Sequence, residues 1–402
     1  MQQPQPIPNP SKTNLIGHSL DDLTALMVRL EQPKFRAKQL YGWIYNKGVT
    51  DFDQMHNISK PLQHILNQDF SLSRPEIAVD QLAMDGTRKF LLNLDAHAAA
   101  EMVYIPEENR GTLCISSQVG CSLTCLFCHT GTQKLVRNLT AGEIVAQLML
   151  AKDRLGDWGD QQGKQQGNPQ NDMDENDDES GFVRNRQITN IVFMGMGEPL
   201  YNTDEVIAAI KLFTDGNGLS LTKRRVTVST SGVVPEIHKL GAETSAPLAV
   251  SLHAVNDELR DQLVPINRKY KLDQLMDSLR EYPSLSNARR ITFEYIMLSG
   301  VNDSDQQAKA LARLIAGIPA KINLIPFNPW PGSNYEPSPL ERQEAFLAIL
   351  RKAGYTATLR KTRGQDILAA CGQLKSESMR ISKRQQQEIN QSRIEKESIL
   401  GI

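Results

Sequence analysis

Apolar residues recur at helical spacing once the chain leaves its first seventeen positions. Ser19 offers an N-cap, and Leu20, Leu23, Leu26, Met27 and Leu30 then fall on one face of a helix. Phe35, Leu40, Trp43 and Ile44 mark a second helix, and Leu62, Ile65 and Leu66 a third. Residues 18–72 are therefore expected to form a small helical accessory domain, behind a disordered leader at 1–17 that begins MQQPQPIPNPSKTN. Its charges at Lys34, Arg36 and Lys38 read as a solvated face. The pattern then changes to that of strands. IAVDQLAMDGTRKFLLNL reads as two strand-like runs joined by Asp85-Gly86, a hairpin signal, so 73–110 is expected to be a β-hairpin extension.

From 111 to 375 the chain alternates strand and helix. The strands read TLCIS (112–116), ITNIVFMG (188–195), RVTVSTS (225–231), PLAVSLHA (247–254), RITFEYIML (290–298) and KINLIPFN (321–328). Helical patterns lie between them at AGEIVAQLMLAKDRL, DEVIAAIKLF, the stretch from ELRDQLV to LDQLMDSLREY, and SDQQAKALARLIAGI; LERQEAFLAILRKAG precedes a last strand-like TATLRK. Such alternation argues for an α/β fold with a parallel sheet, either a barrel or a doubly wound sheet. Six units favour a partial (β/α)6 barrel. Chemistry is then to be sought just after each strand.

Residues 156–180, GDWGDQQGKQQGNPQNDMDENDDES, break the alternation. They have too little apolar surface to repay ordering and are expected to be a disordered acidic insert. Asp172, Asp174 and Asp177 lack the glycine and terminal glutamate spacing of a calcium loop. The 402-residue chain is 40% apolar and 23% charged, an ordinary globular composition. No apolar run approaches the roughly 20 residues of a membrane span, and the start has no apolar core of a secretory signal, so a cytoplasmic protein is expected. A formal net charge of −1 argues at first against a nucleic-acid partner. That average conceals a division: 156–180 holds eight acidic residues and one basic, whereas 351–402, including a basic tail at 376–402, holds eleven basic and five acidic. The balance does not exclude nucleic acid.

The five cysteines are Cys114, Cys121, Cys125, Cys128 and Cys371. An odd number in a large chain without an export signal points to reduced thiols with metal or catalytic work. Cys121-x3-Cys125-x2-Cys128 supplies three soft ligands from one loop, suited to an iron–sulfur cluster or zinc. A closed zinc site wants four ligands, and His129 would have to bend back sharply to be the fourth. Three ligands to a four-iron cluster leave one iron open.

CxxxCxFC after the first strand of a β/α repeat resembles the radical S-adenosylmethionine (SAM) superfamily, as does GMGEP (195–199) after the second strand. Alone, Gly195, Gly197 and Pro199 would read as an ordinary turn. YIPEENRGTLCISSQVGCSLTCLFC, FMGMGEPLYN, RRVTVSTSGVVP, SLHAVNDELRDQLVPIN, KINLIPFNPWPG and RKTRGQDILAACGQL together resemble the RlmN family of dual-specificity RNA methyltransferases over about residues 19–375. The leader, the acidic insert and the tail fall outside the resemblance.

The resemblance implies a [4Fe–4S] cluster on Cys121, Cys125 and Cys128, with SAM chelated by its open iron. It implies methylation at C2 of one adenine in 23S ribosomal RNA and of an anticodon-loop adenine in some transfer RNAs. C2 of adenine is not nucleophilic, so a radical route is needed: one SAM methylates a cysteine, and a second yields a 5′-deoxyadenosyl radical that activates the S-methyl group. By resemblance Cys371 is the methylated cysteine, Cys114 the resolving thiol that forms a transient disulfide with it, and Glu101 the proton acceptor. Gly197, Glu198, Ser229, Ser251, Leu252, His253 and Asn328 fall at SAM-binding positions. Read as isolated residues, both cysteines could be small buried side chains, Glu101 a surface charge and His253 a satisfied core histidine. Lys223, Arg224, Arg225, Arg289, Arg290, Arg360, Lys361 and Arg363 are candidates for phosphate contacts, and Phe327 and Trp330 for stacking on a flipped base. An electron donor such as flavodoxin, no membrane partner and a monomeric state are expected. The alternatives are the related enzyme that methylates the same adenine at C8, and a non-catalytic RNA-binding protein stapled by zinc.

Overall fold

A computed structural model describes residues 12–158, 186–283 and 285–376. Most of the expected leader, the acidic insert from 159 onward and the tail beyond 376 lie outside the described residues.

Helices α1 (Leu20–Arg29), α2 (Phe35–Tyr41) and α3 (Lys60–Asp69) build the N-terminal region. The side chain of Ser19 accepts from Asp22 N–H while the Asp22 carboxylate accepts from Ser19 N–H, and Leu23, Leu26 and Met27 are buried as their spacing requires. The leader ends earlier than expected. Strand β1 (Thr13–Asn14) pairs with β2 (Phe70–Ser71), and Leu15 and Ile16 are buried. Two adjacent apolar residues are too few for a periodic signal but enough to anchor a segment. Arg74, enclosed by protein, ties this region to α4 (Ala141–Leu155): its guanidinium pairs with Asp153 at 2.9 Å and donates to the carbonyls of Gly48, Val49 and Leu72.

One ten-stranded sheet forms the rest of the frame. Strands β3 (Glu76–Leu82), β4 (Arg88–Asp95), β5 (Ala98–Glu107) and β6 (Arg110–Cys114) run antiparallel in sequence. Asp85 and Gly86 lie in the β3–β4 turn, with Gly86 at φ +83°. This stretch is not a separate hairpin: β5, missed in the alternation pattern, joins it to β6 and so to the parallel sheet. Short strands β7 (Gln118–Val119) and β8 (Arg137–Asn138) brace the loop after β6. The sheet continues in parallel through β9 (Asn190–Phe193), β10 (Val226–Thr230), β11 (Leu248–Ser251), β12 (Ile291–Met297), β13 (Ala320–Pro326) and β14 (Thr356–Leu359). Between them stand α4, α5 (Thr203–Thr214), α6 (Val234–Thr244), α7 (Asp257–Leu263), α8 (Leu272–Arg280), α9 (Asp305–Leu314) and α10 (Leu340–Lys352).

The expected partial barrel is therefore present, with TATLRK as an edge strand beyond the sixth unit. The acidic insert begins later than expected: Asp157 is buried, and its carboxylate accepts from Gln187 N–H and Ile188 N–H at 2.7 and 3.0 Å, fastening the lead into β9. Every residue of β12 is buried, including Glu294. A carboxylate in the middle of such a strand needs a polar reason to be there.

Candidate functional site

The clustered cysteines occupy the loop that follows β6. Cys121 N–H donates to Gln133 O at 3.2 Å, Cys128 N–H to Cys125 O at 3.1 Å and Gly131 N–H to Cys128 O at 3.0 Å. At Gly120, with φ +75°, a Cβ would stand 2.3 Å from Lys134 O, so the tight return needs glycine. Cys121, Cys125 and Cys128 line one cavity of about 590 Å³. Burial raises all three thiols, Cys121 to about 12, and Cys128 and Cys121 add to the effect at Cys125. Such a set keeps its protons in isolation and releases them to a metal centre, whose positive charge stabilises thiolates. Three thiolates on one loop fit a [4Fe–4S] cluster with one open iron. Among the described residues no three His, Cys, Asp or Glu groups are arranged to hold a single metal ion.

His129 does not bend back toward the cysteines. Its ring lies flat on Trp330, centroids 4.9 Å apart, and its Nδ1 stands 3.2 Å from Gln373 O. Trp330 Nε1 donates to Phe127 O at 3.1 Å, and Phe327 is buried against Tyr335. Both residues offered for base stacking thus support the loop and core instead.

The expected SAM contacts gather on the same cavity from successive strand ends. Gly197, Glu198, Ser229, Ser251, His253 and Asn328 all line it. Gly197 has φ +99°, and a Cβ there would lie 2.5 Å from the Cβ of Gln118. The buried Glu198 carboxylate accepts from Leu200 N–H at 3.0 Å and Ser231 N–H at 2.7 Å; burial nonetheless raises its pKa. Asn328 donates to Cys371 O at 3.2 Å, while its buried Oδ1 has no hydrogen-bond partner, an acceptor suited to a hydroxyl or amine of SAM. His253 carries out the core role at least: its Nδ1 accepts from Ile296 N–H at 3.0 Å, and burial pushes its pKa down to about 3. Leu252 does not line the cavity, and both its backbone groups are engaged, with Glu294 O and Arg260 Nε.

Cys371 and Cys114 complete the set of five thiols on this cavity, and both are free. Cys114 is buried at the end of β6. Cys371 is open to the cavity yet surrounded by enough protein that its thiol is raised, with Arg360 pulling the other way. Glu101 lies behind the wall, outside the cavity lining. It is buried on β5, accepts from Lys375 N–H at 2.7 Å and stands 3.3 Å from Lys89 Nζ. Burial raises its carboxyl, and Lys89 and the Lys375 N–H oppose that.

A second cavity of about 640 Å³ opens toward the starts of the strands, with Lys223, Arg224, Arg289 and Arg290 among its lining residues. It shares Cys114, Cys371, Glu294, Asn323, Lys321 and Arg360 with the first. Of the other basic candidates, Arg225 is tied to Asn190 Oδ1, whereas Lys361 and Arg363 line the first cavity only. Sequence reading missed Arg260, which looks like one more charge on α7. It is fully enclosed and donates to Leu252 O, Ser251 O, Ser231 O and Asn267 Oδ1, clamping two of the SAM-side loops. It missed Glu294 as well, because nothing in a run of strand formers marks a single acid as inward.

Comparison with known proteins bears on this geometry. Residues 13–72 match the ribosomal RNA large subunit methyltransferase N-terminal domain, and 115–312 match the radical SAM superfamily. The chain is 57% identical to "Dual-specificity RNA methyltransferase RlmN" of Sinorhizobium fredii, covering 95% of this chain and 92% of that one. It is 56% identical to the protein of the same name from Rhizobium meliloti, over 94% and 91%. Among solved structures, a radical SAM methyltransferase from Sphaerobacter thermophilus superposes with a TM-score of 0.80 at 39% identity, over 91% of this chain and all of that one.

Proposed function

The chain belongs to the RlmN family of dual-specificity RNA methyltransferases within the radical SAM superfamily, and from that premise we propose that Cys371 carries the methyl group it delivers to adenine C2. The substrates in this reading are one adenine of 23S ribosomal RNA and an anticodon-loop adenine of some transfer RNAs. The observation that supports it is the convergence of all five cysteines on one cavity with Glu198 and Asn328. The family uses a [4Fe–4S] cluster and SAM; Cys121, Cys125 and Cys128 would hold the first, Gly197, Glu198, Ser229, Ser251, His253 and Asn328 the second, and together they supply a methyl group and the radical that activates it.

Cys371 takes the methyl group on its thiolate, the form that Arg360 favours against burial. Its sulfur then tethers the carbon being bonded to C2. Glu101 accepts the C2 proton, with its affinity for a proton raised by burial. Its Oε2 is tied to the loop of Cys371 through Lys375 N–H, four residues after that cysteine. Cys114 gives up its thiol proton and attacks the Cys371 sulfur. The S–C bond breaks with its electron pair going to the carbon, which takes up a proton to become the methyl group of the freed RNA, and a Cys114–Cys371 disulfide is left. Residues 18–72 act as an accessory domain, 73–110 as an extension of the sheet and 111–375 as the catalytic core. The reading includes an electron donor such as flavodoxin, a monomer and a cytoplasmic setting; no helix among the described residues is long and apolar enough to cross a membrane.

Anaerobic reconstitution with iron, sulfide, reductant, labelled SAM and ribosomal or transfer RNA tests the reading. The expected product is 2-methyladenosine in the RNA digest. Labelled 8-methyladenosine, or no label in either RNA from an iron-loaded protein, would overturn it.

A further inference from the structure

Four residues form a rung across the inner face of the sheet. Ser251 on β11 is paired with Glu294 on β12, Glu294 with Asn323 on β13, and Asn323 with Thr358 on β14. Residues directly opposite in a sheet project to the same side. The side chains of three of them are linked: Thr358 Oγ1 donates to Asn323 Oδ1 at 2.9 Å, and Asn323 Nδ2 donates to Glu294 Oε1 at 2.9 Å. The rung starts at a SAM-side serine and runs to an exposed threonine at the open edge.

Glu294 sits where the two cavities meet. It lines both, as do Cys371, Cys114 and Asn323. It is 5% exposed, and its charge is felt at the Cys371 thiol. Lys321 and Arg360 lie near enough to act on it electrostatically, yet no cation stands within ion-pair distance of it among the described residues. One amide therefore holds one carboxyl oxygen, and Oε2 has no hydrogen-bond partner among the described residues. A carboxyl oxygen that has no protein donor and opens on a cavity is an acceptor left for a ligand. The strand does not need it for support, since β12 is held by ladders on both sides.

The ligand is constrained by place. Cys371 must meet C2 of the base, and Glu294 lines with Cys371 the second cavity, which the three clustered cysteines do not line. On adenine, C2 and the C6 carbon bearing the exocyclic amine both flank N1. An amine is a donor, and the free group opposite it is an acceptor. Resting on the RNA methyl transfer set out above, we propose that Glu294, aimed by Asn323, accepts a hydrogen bond from the exocyclic amine of the target adenine and so selects that base. A purine with a carbonyl there would set oxygen against oxygen; one with hydrogen there would leave the carboxyl unsatisfied. Burial raises this carboxyl, and the Asn323 amide, Arg360 and Lys321 oppose that; the ionised form leaves Oε2 as the acceptor that meets the amine.

The test compares two RNAs, one with adenosine at the target position and one with purine riboside, which keeps C2–H and lacks the amine. Wild-type enzyme is expected to prefer adenosine by about 10- to 100-fold in kcat/KM, the size of one buried donor–acceptor pair. Glu294→Ala should bring the ratio close to one at unchanged iron content, whereas Glu294→Gln, whose amide oxygen still accepts, should retain part of it. Asn323→Ala keeps the carboxyl and removes its support, so the ratio should fall without vanishing, and it decides the matter should E294A load no cluster. A structural role would lower both rates together and leave the ratio alone. An equal wild-type rate on both RNAs, or a wild-type ratio in E294A or N323A, would overturn the assignment. Iron-loaded wild type that methylates neither RNA would instead count against the methyl-transfer reading itself.

Discussion

The amide of His129, next to the last cysteine of the cluster loop, donates to the carbonyl of Gly372, next to Cys371, at 2.7 Å. The two loops are 244 residues apart in sequence at the neighbouring His129–Gln373 contact and are joined by several such bonds. Thr130 Oγ1 donates to Leu374 O at 2.6 Å, and Gln133 grips Ser376 through both ends of its amide, at 2.9 and 3.2 Å. Order in the cysteine loop is thereby passed to the loop that bears Cys371.

Gln133→Met removes the two bonds to Ser376 and leaves the backbone bond to Cys121. It should cost about 1–3 kcal/mol locally and speed amide exchange over 369–376, with iron content unchanged. Exchange mass spectrometry on the anaerobic protein reads this; unaltered exchange in that segment would mean the loops are independent.

Gly197→Ala should weaken SAM binding roughly tenfold, from backbone strain of about 1–3 kcal/mol and a clash with the side chain of Gln118. Equilibrium binding of SAM to iron-loaded protein checks it. The thiol ligands are untouched, so four irons should remain.

His253 is neutral in the folded protein with a pKa of about 3, against 6.5 for the free side chain. Between those values the unfolded chain binds a proton that the folded one does not, so this group lowers stability as pH falls from about 6.5 toward about 3. Denaturation of His253→Asn, which keeps an acceptor near the Nδ1 position, should show a shallower loss between pH 7 and 5 than wild type, by at most about 1.4 kcal/mol per unit. Identical slopes would show that the histidine does not titrate in this way.

Much of this site is legible in the sequence because its chemistry is local. Cys121, Cys125 and Cys128 declare themselves by spacing, and GMGEP by its glycines. The strand ends follow from alternation because parallel strands buried on both faces are long apolar runs. What is not legible depends on partners far along the chain. β5 reads as an alanine-rich stretch, and Ala100 is small where the Cys371 loop covers it: it packs in one cluster with Cys114, Ala369 and Leu374. α6 escapes notice because only Ile237 and Leu240 supply its buried apolar stripe, and Gly241 interrupts it. Arg260 and Glu294 are ordinary charges until the fold closes around them. Asp157 opens an acidic stretch in sequence, and only the arrival of Gln187 and Ile188 makes it a cap.

The proposed order of events at Cys371 and Cys114 is tested most directly by Cys114→Ala. Without the resolving thiol the RNA should stay bonded to Cys371, so incubation with iron, reductant, SAM and RNA should accumulate a protein–RNA adduct. Tandem mass spectrometry after nuclease and protease digestion should find adenine and one carbon on the Cys371 peptide. Free, fully methylated RNA released by C114A at the wild-type rate, with no adduct on that peptide, would contradict the account.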